Sequence, residues 1–140
     1  KIKLILGLLH TLQDVRSFFT EKNIMPGELI NQTIVEHIKG CDIFVVFFSE
    51  HAIKSSYVQQ EIGVAKANNR PIIPILLDLN KPTGMLVGVN YLNFADASKQ
   101  QTEISRLYVH IQKSIQKKKQ DQANAVLGLL FIGYLIWKDK

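Results

Sequence analysis

The sequence has one cysteine among 140 residues, Cys41. That excludes an internal disulfide and leaves no thiolate pair for a metal centre. Its four histidines, His10, His37, His51 and His110, fall on different segments without ligand spacing, so they are expected at the surface or in loops and no metal site is expected. Cys41 itself reads as a small apolar residue at the entrance of a strand. No secretory signal opens the sequence, so a reducing cytoplasm is the expected compartment. Lys and Arg outnumber Asp and Glu by 17 to 12, for a net charge of +5. The basic residues are nevertheless scattered, apart from Lys117 to Lys119, and no basic stripe interleaved with aromatics is present, so nucleic acid is not an expected partner. A hydrophobic fraction of 46% with 21% charged residues is globular composition, and the length is that of one domain.

The most informative stretch is GCDIFVVFFSEHAIKSSYVQQEIG, Gly40 to Gly63. Ile43 to Phe48 is a short unbroken run of β-branched and aromatic residues, apolar on both alternating faces, which predicts a parallel strand buried on both sides. A polar loop with Lys54, Ser55 and Ser56 follows. Val58, Ile62 and Ala65 then recur at helical spacing. Glu61 therefore lies early in a helix beyond the carboxyl end of a buried strand, the edge where open α/β sheets bind ligands. It is the leading candidate for an active residue, its anion favoured by the helix N-terminus.

The remaining segments alternate in the same way. Lys1 to Leu9 predicts a helix entered in its middle, with Ile2, Ile5, Leu6 and Leu9 on one face. Val15 to Phe19 is a short strand, and Pro26 and Gly27 mark a turn. From about Glu28 an amphipathic helix runs to Gly40. PIIPILLD, from Pro71, is a buried strand in which Pro74 removes a ladder donor and points to an edge or bulge. Tyr91 to Phe94 is a last short strand, and Ala97 to Gln116 a helix. Alternating strands and helices predict a parallel sheet covered on both faces.

The tail breaks the pattern. ANAVLGLLFIGYLIW, Ala123 to Trp137, is apolar all round and bracketed by lysines. It reads as a hydrophobic helix within residues 120–140, surrounded by lipid or by protein. Although shorter than the roughly 20 residues of a full span, it carries Tyr134 and Trp137 as interfacial anchors, so membrane insertion is one expectation. Packing on its own domain or self-association is the other.

Three blocks carry a family resemblance: SFFTEKNIMPGELINQTI, GCDIFVVFFSEHAIKSSYVQQEIG and NNRPIIPILLD. In order and spacing, residues 1–119 resemble a TIR domain, the Toll/interleukin-1 receptor and resistance-protein module, of bacterial or archaeal type. The resemblance implies a flavodoxin-like sheet of five parallel strands in the order 2-1-3-4-5 with helices on both faces. It also implies an N-terminally incomplete domain, because the family's first strand, central in that order, and its nucleotide-binding loop have no counterpart before Lys1. The isolated chain would then leave the strands on either side of the gap with open edges.

For activity, the resemblance implies cleavage of NAD between nicotinamide and ribose, to ADP-ribose or a cyclic form, with NAD as substrate and no cofactor. The catalytic position falls on Glu61. Tyr57 stands where the family commonly has a tryptophan lining the pocket, and Ser49, Phe19 and Glu21 are the other expected ligand contacts. Asn23, Ile24, Met25, Pro26 and Gly27 match the BB loop, through which TIR domains assemble with one another. Thr20 replaces the family's frequent Asp after the second strand. The alternative function is a non-catalytic scaffold acting by TIR to TIR assembly.

Overall fold

The computed structural model describes residues 2–19, 32–50, 54–78 and 88–132. In chain order the elements are α1 (Ile2–Thr11), β1 (Val15–Phe19), α2 (Gln32–Gly40), β2 (Ile43–Phe48), α3 (Ser56–Ala67), β3 (Ile72–Leu76), β4 (Leu92–Asn93), α4 (Gln100–Asp121) and β5 (Leu127–Ile132). The five strands form one sheet in the order β1-β5-β2-β3-β4, and every neighbouring pair is parallel. This is the expected parallel sheet with helices on both faces.

Side-chain alternation divides the core in two. Ile43, Val45 and Phe47 of β2 join Leu127, Leu129 and Phe131 of β5 beneath α1 and α4, where Ile5, Leu107, Ile111 and Ile115 are buried. Phe44, Val46 and Phe48 join Leu130 and Ile132 beneath α2 and α3, where Ile34, Ile38, Val58, Ile62 and Ala65 are buried. All six residues of β2 are buried, as a strand with a helix layer on each face requires. Cys41 is also buried, as expected of a small apolar residue. Its thiol donates to the Ile38 carbonyl at 3.2 Å, and burial pushes it up to about 11. His10, His37 and His110 are exposed; His51 lies outside the described residues.

The tail differs from its expectation. Leu127–Ile132 is a strand, not part of an apolar helix over 120–140, and it occupies an interior place in the sheet, between β1 and β2. Its register aligns Leu129 with Ser17 of β1 and with Ile43 of β2. The physical reason is that six residues apolar on both alternating sides suit a doubly buried strand as well as a buried helix, and the slot between β1 and β2 offers backbone partners on both flanks. β5 thus shares one sheet with β1 and β2, and the division into domains at residues 119 and 120 cuts through that sheet. Among the described residues no helix is long and apolar enough to cross a membrane. The apolar side chains of β5, which had suggested an anchor, are spent inside the domain. Residues 133–140, with Tyr134 and Trp137, lie outside the described residues.

The entrance of β5 is pinned at the amino edge of the sheet. The Leu127 amide donates to the Asp14 carbonyl and the Asp42 amide to the Gly128 carbonyl, each at 2.8 Å. The Gly128 amide donates to Asp42 Oδ2 at 2.8 Å. Lys118 Nζ, in the last turn of α4, donates to the same oxygen and to the Val126 carbonyl, both at 2.8 Å. Lys119 pairs with Asp14. The basic run at the end of α4 therefore ties β5 to the residues that precede β1 and β2, while its charge complements the carboxyl end of the helix dipole.

Two smaller expectations also resolve. The Pro71 carbonyl and the Leu77 amide both bond to β2, so alternation turns the nitrogen of Pro74 toward β4, which pairs only with Ile75 and Leu76. Pro74 thus sits where no donor is called on. β4 is shorter than predicted. Glu103, buried on α4, accepts the Asn93 amide at 2.7 Å and pairs with Arg106 at 3.0 Å.

Candidate active site at the carboxyl edge of the sheet

β5 and β2 run side by side to the carboxyl edge, with Ile132 opposite Val46. β2 continues to Phe48, and Ser49 follows, almost fully buried at 1% exposure. The carboxyl ends of β2 and β3 are tied together there: Leu77 donates to the Phe48 carbonyl at 3.0 Å, and the Glu50 amide donates to Asp78 Oδ2 at 3.0 Å. Lys54 pairs with Glu50 at 3.1 Å on the exposed side.

From this edge the chain enters α3. Ser55 is its N-cap, with extended backbone, and its hydroxyl accepts the Val58 amide at 3.2 Å. The cap fixes where the helix begins, and so fixes which residues turn inward. Val58, Ile62 and Ala65 meet β2 and β5, and Glu61 lies beside Ile62 with only 1% of its surface exposed. The burial is greater than the sequence suggested, and the electrostatics are different. Glu61 is the sixth residue of α3, beyond the first turn in which the helix dipole acts strongly. The setting of its carboxylate is therefore the low-dielectric interior, where charge–charge interactions are stronger than in water.

Of the predicted site residues, Ser49 and Glu61 are thus placed on the two sides of one connection, the link from β2 to α3. Tyr57 falls on the first turn of α3 and Phe19 ends β1. Thr20, Glu21 and the loop residues Asn23, Ile24, Met25, Pro26 and Gly27 lie outside the described residues. Asp78 was not singled out from the sequence. Its signal would have been its place two residues past an apolar strand, at the same edge as Ser49. Among the described residues no group of His, Cys, Asp and Glu side chains is placed to hold a metal ion.

Two clefts lie away from Glu61. One, of about 350 Å³, is at the amino edge and lined by residues that include Arg16, His37, Cys41 and Lys118. The other, of about 420 Å³, lies beside β3, β4 and α4.

The TIR domain family matches residues 4–108, a span that includes the Ser49 to Glu61 connection. The chain belongs to the TIR domain family. A curated relative from Brachypodium distachyon, named "Probable 2' cyclic ADP-D-ribose synthase BdTIR", is 29% identical over 73 residues, which is 52% of this chain. The match covers 32% of that plant protein. No solved structure matches the chain. The observed parallel sheet with helices on both faces is the architecture expected of the TIR fold.

Proposed function

We propose that this TIR domain cleaves NAD at the bond between nicotinamide and ribose, with Glu61 as the acting carboxylate. The observation that carries the reading is the burial of Glu61 on α3, the helix that follows the carboxyl end of β2. The family supports NAD as the substrate class. The name of the plant relative, a cyclic ADP-ribose synthase, supports chemistry at this bond.

In the proposed reaction the electron pair of the C1′–N bond leaves with nicotinamide, neutralising its pyridinium charge. The ribose becomes oxocarbenium-like at C1′. A fixed carboxylate in a low-dielectric site stabilises that developing cation and holds the ribose hydroxyls, as carboxylates do in glycoside hydrolysis. Water then captures C1′ and releases a proton, giving ADP-ribose; capture by a hydroxyl of the same molecule gives a cyclic product. Ser49, at the end of β2, is a hydrogen-bond donor for the ligand. Tyr57 and Phe19 are assigned contacts with base or ribose, and Glu21 a further ligand contact. The BB loop, Asn23 to Gly27, is assigned to assembly with other TIR domains, and the proposed setting is signalling or antiphage defence.

The test is nicotinamide release from NAD at high protein concentration, comparing the parent with Glu61→Gln, which preserves side-chain shape. Removal of one stabilising group in such a site costs roughly 10²- to 10³-fold in turnover. A loss of that size, with melting and oligomeric state unchanged, is the expected outcome. A folded, assembled parent with no turnover would leave the scaffold reading in its place. Turnover within about threefold of the parent in Glu61→Gln would remove Glu61 from the chemistry, since threefold is below the loss expected of a group that stabilises the transition state.

A further inference from the structure

Gly128, the second residue of β5, is a glycine that its backbone does not call for. Among the described glycines only Gly88 has a positive φ, and a Cβ built on Gly128 would meet Asp42 Oδ2 at 3.6 Å and Cys41 Cα at 3.8 Å, ordinary contact distances. An alanine would therefore fit. A glycine inside a strand leaves packing unmade, and where neither φ nor crowding requires it, it marks a place where another group approaches the backbone closely. Gly128 lies on the face covered by α2, the face on which Leu130 is buried with Ile34 and Ile38. Its register partner on β1 is Arg16, so the two positions are side by side on that face. The Arg16 side chain is exposed and makes no ion pair or hydrogen bond among the described residues, although it and Asp42 line the same cleft of about 350 Å³. Asp42 stands on the other flank of β5, before β2, where its Oδ2 accepts the Gly128 amide and Lys118 Nζ, both at 2.8 Å. The cleft thus has an uncompensated guanidinium on its β1 side, a neutralised carboxylate on its β2 side and a bare backbone between them.

We propose that this cleft binds a small organic anion, a carboxylate or a phosphate ester, with its charged group on Arg16 and its body over Gly128. The planar fork of a guanidinium matches two oxygens of either group. The orientation follows from charge. His37 and Gly40 bring the carboxyl end of α2 to the cleft, and that end of the helix dipole is negative. Together with Asp42 it keeps the anionic group on the β1 side. Lys118 lines the cleft as well, and its ammonium has a donor beyond those bonded to Asp42 and to the Val126 carbonyl, left for an acceptor on the ligand. The volume is near the lower limit of about 300 Å³ for ligand pockets, which suits a compact molecule. The cleft is at the amino edge of the sheet, so its occupancy is separate from the chemistry proposed at the carboxyl edge.

The test is titration of the full chain with benzoate, phenyl phosphate, inorganic phosphate and benzyl alcohol, followed through the amide resonances of Arg16, Asp42 and Gly128. Benzoate or phenyl phosphate is expected to shift these amides with a Kd of about 1 mM or below, within reach of a probe of this size; the tighter of the two identifies the headgroup. Arg16→Gln, at an exposed position, is expected to keep the parent's thermal midpoint and to weaken that binding roughly 10- to 100-fold, the worth of hydrogen bonds to a charged group. Gly128→Ala is expected to fold and to bind at least about threefold more weakly, because its methyl occupies space needed by the ligand. Lys113→Gln removes the same charge from an exposed position on α4 and is expected to bind as the parent does. The inference is overturned if neither acid shifts these amides, if Arg16→Gln binds within about twofold of the parent, if Lys113→Gln is weakened as much as Arg16→Gln, or if benzyl alcohol binds as tightly as the acids. Inorganic phosphate binding as tightly as phenyl phosphate, or Gly128→Ala binding like the parent, would overturn the place given to the organic body.

Discussion

Truncating Phe131 measures whether β5 is an interior strand of the sheet. The side chain has no exposed surface and sits in the core beneath α1 and α4. Its ring stacks on Phe47 of β2 with centroids 5.7 Å apart and planes inclined by 20°. Replacing a fully buried Phe with Ala costs about 3–5 kcal/mol, part of which is the ring pair, worth about 0.5–1.5 kcal/mol. With a urea slope of about 2 kcal/mol per molar, Phe131→Ala should lower the midpoint by about 2 M with the slope unchanged. Val126→Ala, one residue before the strand and 39% exposed, is the control and should stay within about 0.5 kcal/mol. Equilibrium urea unfolding followed by circular dichroism provides both values. A peripheral or membrane-seeking helix would have no such dependence on one ring. A loss below about 1 kcal/mol for Phe131→Ala would therefore refute the placement of β5, since core truncations of this size do not fall so low.

The clasp at the entrance of β5 gives a second set of values. Asp42→Ala removes the acceptor of the Gly128 amide and the partner of Lys118, and should cost about 2–3 kcal/mol. Asp42→Asn can still accept from Gly128 and should cost about 1 kcal/mol, the worth of a partly exposed ion pair; equal losses in the two variants would show that the amide bond contributes nothing. Cys41 gives the pH dependence. Burial raises its thiol from an ordinary 9.0 to about 11, so the folded chain holds this proton to higher pH than the unfolded chain does. Stability tied to it is complete below pH 9 and falls as pH rises to about 11, by up to about 3 kcal/mol at 1.36 kcal/mol per unit. The stability difference between the parent and Cys41→Ala should shrink over that interval, and a constant difference would contradict the burial argument. At pH 8 the thiol of the folded parent should react with a disulfide reagent only as fast as the chain opens.

Much of the fold was legible because local patterns state it directly. β1 and β2 lie at their predicted bounds, Val15–Phe19 and Ile43–Phe48, since a short run apolar on both faces, set between polar turns, has few other solutions. The helix bearing Glu61 was readable from Val58, Ile62 and Ala65, whereas its cap, Ser55, read only as part of a polar loop. Spacing alone also put Glu61 near the carboxyl end of β2. What spacing could not give was its near-complete burial, which depends on α3 lying across strands drawn from two distant parts of the chain.

The sequence by itself determined the alternation of strands and helices, the family, and the presence of a carboxylate on the helix that follows a buried strand, because each rests on residues close together in the chain. Only the tertiary structure decided that Leu127–Ile132 is a strand. An all-apolar run is equally at home as a buried helix, and backbone partners on both flanks, supplied by β1 and β2, select the extended form. The same holds for the Lys118 to Asp42 clasp, which joins residues 76 positions apart, and for the sheet order that places the last described strand between the first two. Strand order follows from which edges can be paired and which faces covered at once, and no local window of sequence contains that information.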